Sequence, residues 1–197
     1  MPTLHGCYRS RATRNVWLAE EAGFALDLAT VWQAYRLDDP EAPGAPTNTR
    51  SPAFLALSPM GSIPVLEDDG LVLTESLAIN LHLARTRGGD LGPRDDREAA
   101  EMEQWALFAA TSIEEPALVV QNVHAYGRAG TAEGQREIAE AAGRLGRPLR
   151  ALAARMAGRE WLVGGRAAGD RLELRGRLRA LRGRDPADAG AGVAGRT

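Results

Sequence analysis

Lysine is absent from this chain: all 24 basic residues are arginine. Either cation is acceptable on a surface, so we read the absence as coding bias rather than function. Cysteine occurs once, at Cys7, which excludes an internal disulfide and a cysteine-rich metal site. The three histidines, His5, His82 and His124, lie far apart without ligand-like spacing, so no metal is expected. No apolar run approaches the roughly 18 residues of a membrane-spanning helix. The opening segment, MPTLHGCYRSRATRN, lacks the apolar core of a secretory signal. A cytoplasmic protein without a membrane partner is therefore expected. Net charge is −2, so nothing draws the whole molecule toward nucleic acid.

What is present is an ordinary globular composition, 44% apolar and 25% charged over 197 residues. That length suits one large domain or two small ones. Charge is uneven. Residues 166–197 hold eight arginines against Asp170, Glu173, Asp185 and Asp188, leaving the rest of the chain acidic.

Residues 2–6 are long enough for a short first strand. The stretch SRATRNVWLAEEAG reads as a helix: Ser10 can cap it, Val16 and Trp17 follow at helical spacing, and Gly23 is a natural stop. ALDLATVW alternates like a half-buried strand. From Asp38 to Pro52 the chain holds four prolines and one glycine, which mark a loop with room to move. AFLALSPMG holds about one helical turn. IPVLED and GLVLTE are strand-like runs joined through DDG, a hairpin signal. In SLAINLHLARTRGG, Leu77, Ile79, Leu81 and Leu83 return to helical spacing. The expectation is an α/β domain over residues 1–84, a linker over 85–96, and an all-α domain over 97–182.

In the helical part, Met102, Trp105, Leu107 and Phe108 are expected to face inward, and Pro116 to kink the helix. Ile138, Leu145, Leu149 and Leu152 are candidate core contacts of a later helix. Leu174, Leu178 and Leu181 make one short stripe; past Gly183 nothing can bury a face, so residues 183–197 are expected to be a disordered tail.

The most informative stretch is GSIPVLEDDGLVLTES, residues 61–76. Proline is tolerated at a strand start. A cis Ile63–Pro64 bond would turn the chain and expose the main chain of Ile63, which can then pair with an extended peptide. Glu75 and Ser76 fall where the last strand enters a helix. A hydroxyl and the helix N-terminus favour an anion there, and the Glu75 carboxylate would attract an ammonium beside it. Carboxylate and ammonium on one carbon describe an amino-acid head group.

The same stretch closely resembles the glutathione-binding signature of cytosolic glutathione transferases, without a gap between Ile-Pro and Glu-Ser. The resemblance covers roughly residues 1–165. It implies a thioredoxin-like N-terminal domain followed by an all-α helical domain. It implies that Ile63, beside cis Pro64, pairs with the cysteinyl main chain of glutathione, and that Glu75 and Ser76 hold its γ-glutamyl end. Glutathione would be a co-substrate, a small hydrophobic electrophile the acceptor, and a homodimer the usual state. Ser62 stands where many relatives carry a lysine that helps hold glutathione; Arg50 or Arg36 are candidates for the glycyl carboxylate.

In serine-type members a serine follows the first strand with an arginine four residues on, and Ser10 and Arg14 fit that frame. A hydroxyl at a helix start favours the thiolate by donating to it. The alternative is Cys7, in the pattern Cys7-Tyr8-Arg9-Ser10, as the redox residue of a thiol reductase. Trp105 and Phe108 are candidates for the electrophile site. After EWLVGGR the resemblance breaks: Asp170 is present, but the aromatic and the Ser/Thr cap that relatives carry are not. A change of reading frame near Arg166 would explain this, as would divergence. A non-catalytic binding protein on the same fold is the reading from a different class.

Overall fold

The computed structural model describes residues 1–164. Met1–Gly92 form one compact unit, and the described residues from Pro93 onward a second. The frame change near Arg166, Asp170, the leucine stripe and the tail lie outside the described residues.

The first unit opens with β1 (Thr3–Gly6), α1 (Ala12–Ala22) and β2 (Asp27–Thr30). β1 and β2 are parallel, Thr3 opposite Asp27 and Gly6 opposite Thr30. Parallel neighbours need a crossover, and α1 supplies it. It stops at Gly23, whose φ of 72° is left-handed and whose N–H bonds the Ala19 carbonyl. Then come α2 (Pro52–Leu57), β3 (Val65–Asp68), β4 (Leu71–Thr74) and α3 (Ser76–Arg87). The sheet order is β2-β1-β3-β4. β3 is antiparallel to both its neighbours. The hairpin turn is Asp69-Gly70, with φ of 50° and 80°. Two positive φ values match the twist of the flanking strands.

Adjacent residues of a strand point to opposite faces, so β3 feeds two cores. Leu66 joins Leu4, Ala12, Val16, Ile79 and Leu83 beneath α1 and α3. Val65 joins Val31 and Phe54 on the other face, with Ile63 packed against them. Fully burying each large aliphatic here contributes about 1.5–3 kcal/mol. Ile79 and Leu83 are four apart, which places both on the buried side of α3.

Asn48 ties down the proline-rich loop. Asn48 is buried, and its Nδ2 donates to the carbonyls of Pro40 (2.9 Å) and Pro46 (3.0 Å). Its Oδ1 accepts from Arg50 N at 2.9 Å. Trp32, just past β2, bridges to the same Asn48. Composition suggested a loose loop; a polar anchor with both amide hydrogens and the oxygen engaged is what composition hides.

α3 continues to Arg87, three residues into the segment read as a linker. In the second unit, α4 (Asp96–Phe108), α5 (Glu115–Ala125) and α6 (Ala132–Met156) follow. Asp95 Oδ1 caps α4 by accepting from Glu98 N at 2.8 Å, and Thr131 Oγ1 caps α6 by accepting from Gly134 N at 3.0 Å. Between α4 and α5 the chain makes one wide turn of π geometry, Ala109–Glu114, which ends just upstream of Glu115-Pro116. Proline lacks an N–H and crowds the carbonyl four residues back, so the irregularity falls upstream of it.

Two residues expected inside are exposed, Leu107 at 64% and Leu149 at 47%, and Trp17 is exposed as well. Helical spacing specifies a stripe, not what covers it. Val123 and Ala141 are the buried hydrophobic residues of this unit among those described. Trp17 instead lies along its own helix, with Nε1 donating to Glu21 at 2.8 Å. No helix among the described residues is long and apolar enough to cross a membrane.

Candidate functional site

The ladder registers bring three separated segments to one end of the sheet. His5 pairs with Val65 and Val65 with Thr74. Continuing those registers by one or two residues sets Cys7 and its loop, Ile63-Pro64, and Glu75-Ser76 side by side. Two contacts support this. A Cβ on Gly6 would sit 3.8 Å from the Pro64 ring, and Arg14 of α1 reaches Ser76.

The Ile63–Pro64 bond is cis, as expected. Ile63 lies before the first ladder pair of β3, and no backbone–backbone bond to it is recorded among the described residues outside the ladders. Pro64 is buried and Ser62 exposed. The loop before them is held by Ser58, which is fully buried. Ser58 Oγ donates to the Ser62 carbonyl at 3.0 Å and accepts from Ser62 N at 3.3 Å. Gly61 holds φ at 59°, and a Cβ there would lie 2.8 Å from the Thr49 carbonyl oxygen; only glycine suits that approach.

Glu75 links β4 to α3 with φ of 66° and ψ of 110°. A non-glycine residue there costs on the order of 1–3 kcal/mol. Glu75 gives α3 no side-chain cap, and the first turn contains no acidic residue. Its carboxylate is exposed. Ser76, by contrast, is 3% exposed. Its hydroxyl accepts from Arg14 Nη1 at 3.1 Å, and its carbonyl accepts from Asn15 Nδ2 at 2.8 Å. Asn15 is fully buried and also donates to Asn80 Oδ1 at 2.7 Å.

Ser10 sits just before α1. Its Oγ accepts from Ala12 N at 3.1 Å and donates to the Cys7 carbonyl at 2.6 Å. Cys7 is 5% exposed, with Arg36 Nη1 3.9 Å from its sulfur. Arg36 also donates to the carbonyls of Tyr8 (3.3 Å) and Arg9 (2.8 Å), bracing the loop. Arg50 is exposed and lies 3.9 Å from Glu41. In the second unit, Trp105 and Phe108 meet edge to face at 5.3 Å, and the Arg155 guanidinium lies 5.8 Å over the Trp105 ring.

The sequence reading missed Asn15, Ser58 and a cluster at the far end of α3. Asp68, at the end of β3, accepts from Arg87 through both oxygens, at 2.6 and 2.7 Å. His82 Nε2 lies 2.8 Å from Asp68 Oδ2. Burial alone would raise the Asp68 pKa, but the hydrogen bonds and charges of His82 and Arg87 outweigh it and hold it below its ordinary value. The i,i+5 spacing of His82 and Arg87 was the available signal; what they share lies on another element.

Residues 3–85 match the glutathione S-transferase N-terminal domain. A solved theta-class glutathione S-transferase from Xanthomonas axonopodis pv. citri, with glutathione bound, is 31% identical with a TM-score of 0.63, covering 85% of this chain and 75% of that one. The chain belongs to the glutathione S-transferase family. Its first unit is the family's thioredoxin-like domain, and the helices that follow are its helical region.

Among curated relatives, glutathione S-transferase 3 of Schizosaccharomyces pombe is 35% identical over 108 residues, 55% of this chain. This transferase-family chain spans 39% of the length of that protein. Elongation factor 1-gamma of Danio rerio is also similar, 35% identical over 100 residues, covering 48% of this chain and 22% of that protein.

Proposed function

We propose that this chain binds glutathione along its first domain and transfers the thiolate to a small hydrophobic electrophile. One observation carries the reading most. The open main chain of Ile63, the exposed carboxylate of Glu75 and the uncapped start of α3 share one end of the sheet. The Ile63 edge would pair with the cysteinyl unit. Glu75 would take the γ-glutamyl ammonium, and Ser76 with the α3 N–H groups its carboxylate. Ser62 adjoins the same edge.

Ser10 is the hydroxyl that would stabilise the thiolate. Its proton is held by the Cys7 carbonyl, so a bound sulfur must replace that acceptor. A thiolate can do so, because hydrogen bonds to ionised acceptors are about twice as strong as neutral ones. The burial of Cys7 favours Ser10 over Cys7 as the reacting partner. Trp105 and Phe108 belong to the proposal as electrophile contacts, and a cytoplasmic homodimer is its assembly.

A second reading is a glutathione-binding protein without turnover. The likeness to elongation factor 1-gamma favours it. Retention on immobilised glutathione, followed by a conjugation assay with a chloroarene, decides between the two. Retention with turnover supports the enzyme; retention without turnover supports the binding protein; no retention removes both.

A further inference from the structure

Arg14 carries a role beyond matching a sequence frame. It lies on α1, yet its Nη1 donates to Ser76 Oγ at 3.1 Å, across 62 residues of sequence. A guanidinium can only donate, so Ser76 Oγ is the acceptor in this bond. A hydroxyl has one proton of its own, and no acceptor for it is recorded among the described residues. The bond therefore leaves Ser76 as a donor, polarised by a cation, at the start of a helix. The neighbouring residue, Asn15, holds the Ser76 carbonyl at 2.8 Å. Side chain and main chain of Ser76 are thus both set from α1.

The surroundings specify the charge of what that proton meets. α3 has no side-chain cap and no acidic residue in its first turn. Its N–H groups and the helix dipole favour an anion. The Glu75 carboxylate, one residue before, opposes any anion that lacks a cation beside it. The combination selects a zwitterion.

Resting on glutathione binding at this end of the sheet, we infer that Arg14 is a positioning residue: acting through Ser76, it makes affinity depend on the α-carboxylate of the γ-glutamyl group. Because it acts through Ser76, its effect falls on binding of the tripeptide and not on the transfer step.

The test compares two ligands by calorimetry: glutathione, and 4-aminobutanoyl-Cys-Gly, which lacks only that α-carboxylate. Wild type binds glutathione more tightly than the shortened tripeptide. Arg14→Gln weakens glutathione about ten- to a hundredfold and leaves the shortened tripeptide within about threefold, so the preference collapses. Arg14→Lys restores part of the preference, and thermal melts of both variants verify that they fold. In turnover, KM for glutathione rises while kcat holds.

Equal weakening of both ligands, or a preference unchanged in Arg14→Gln, overturns the inference and leaves the functional reading standing. A wild type that binds neither tripeptide overturns the reading itself, and this inference with it.

Discussion

Asn15 donates through Nδ2 to the main-chain carbonyl of Ser76 at 2.8 Å, from a side chain that is wholly buried. The same amide group reaches Asn80 Oδ1. One polar side chain therefore locks α1 to the opening turn of α3, beneath the residues that receive the ligand head group in our proposal. A buried polar atom that loses its partner bears its full desolvation penalty. Asn15→Ala is expected to destabilise the protein by about 2 kcal/mol and to weaken glutathione binding. Urea unfolding and calorimetry measure the two effects. An unchanged unfolding midpoint would remove Asn15 as an anchor.

The far end of α3 is held by charge. Asp68 is 7% exposed and pairs with Arg87, 30% exposed, in bidentate geometry. Its folded pKa is lowered. The unfolded chain therefore takes up the Asp68 proton first as pH falls. The contribution is complete above the ordinary carboxylate value, and it is lost as pH drops through the lower, folded value. Melting temperature should fall in that acid range for wild type and less steeply for Asp68→Asn. Asp68→Ala should cost roughly 2 kcal/mol near neutral pH, less than a fully buried pair because water reaches Arg87. Equal acid slopes in wild type and Asp68→Asn would contradict this.

Removing the Ser10 hydroxyl separates chemistry from binding. Ser10→Ala should lower conjugation about a hundredfold or more, the scale of losing one donor to a developing charge. Glutathione affinity should change by less than about threefold. The variant also loses the hydroxyl bonds to Ala12 N and the Cys7 carbonyl, so a melt must accompany the rates. Turnover equal to wild type would remove Ser10 from the mechanism.

What the sequence made legible was local. Asp69-Gly70 announced the hairpin because a two-residue turn with positive φ favours those residue types. The cis Ile63–Pro64 bond was readable because a proline at a strand start is a local signal. What stayed hidden was long-range. Asn15 gave no signal of its own in the sequence, because its partners, Ser76 and Asn80, lie more than 60 residues away. Ser58 looked like the end of a helical turn, yet it grips the main chain of Ser62 from both sides. Leu107 and Leu149 kept apolar spacing on helices but lie exposed, because spacing does not say which neighbour covers a stripe. Pro116 did mark an irregularity, though the wide turn precedes it.

The central claim is that residues 75 and 76 receive the γ-glutamyl head of glutathione. Titration calorimetry with glutathione on wild type and on a Glu75→Gln/Ser76→Ala double variant tests it directly. The account predicts saturable binding with one site per chain in wild type, and a loss of about a hundredfold or more in the folded double variant. No binding in wild type, or equal affinity in the two proteins, would contradict it.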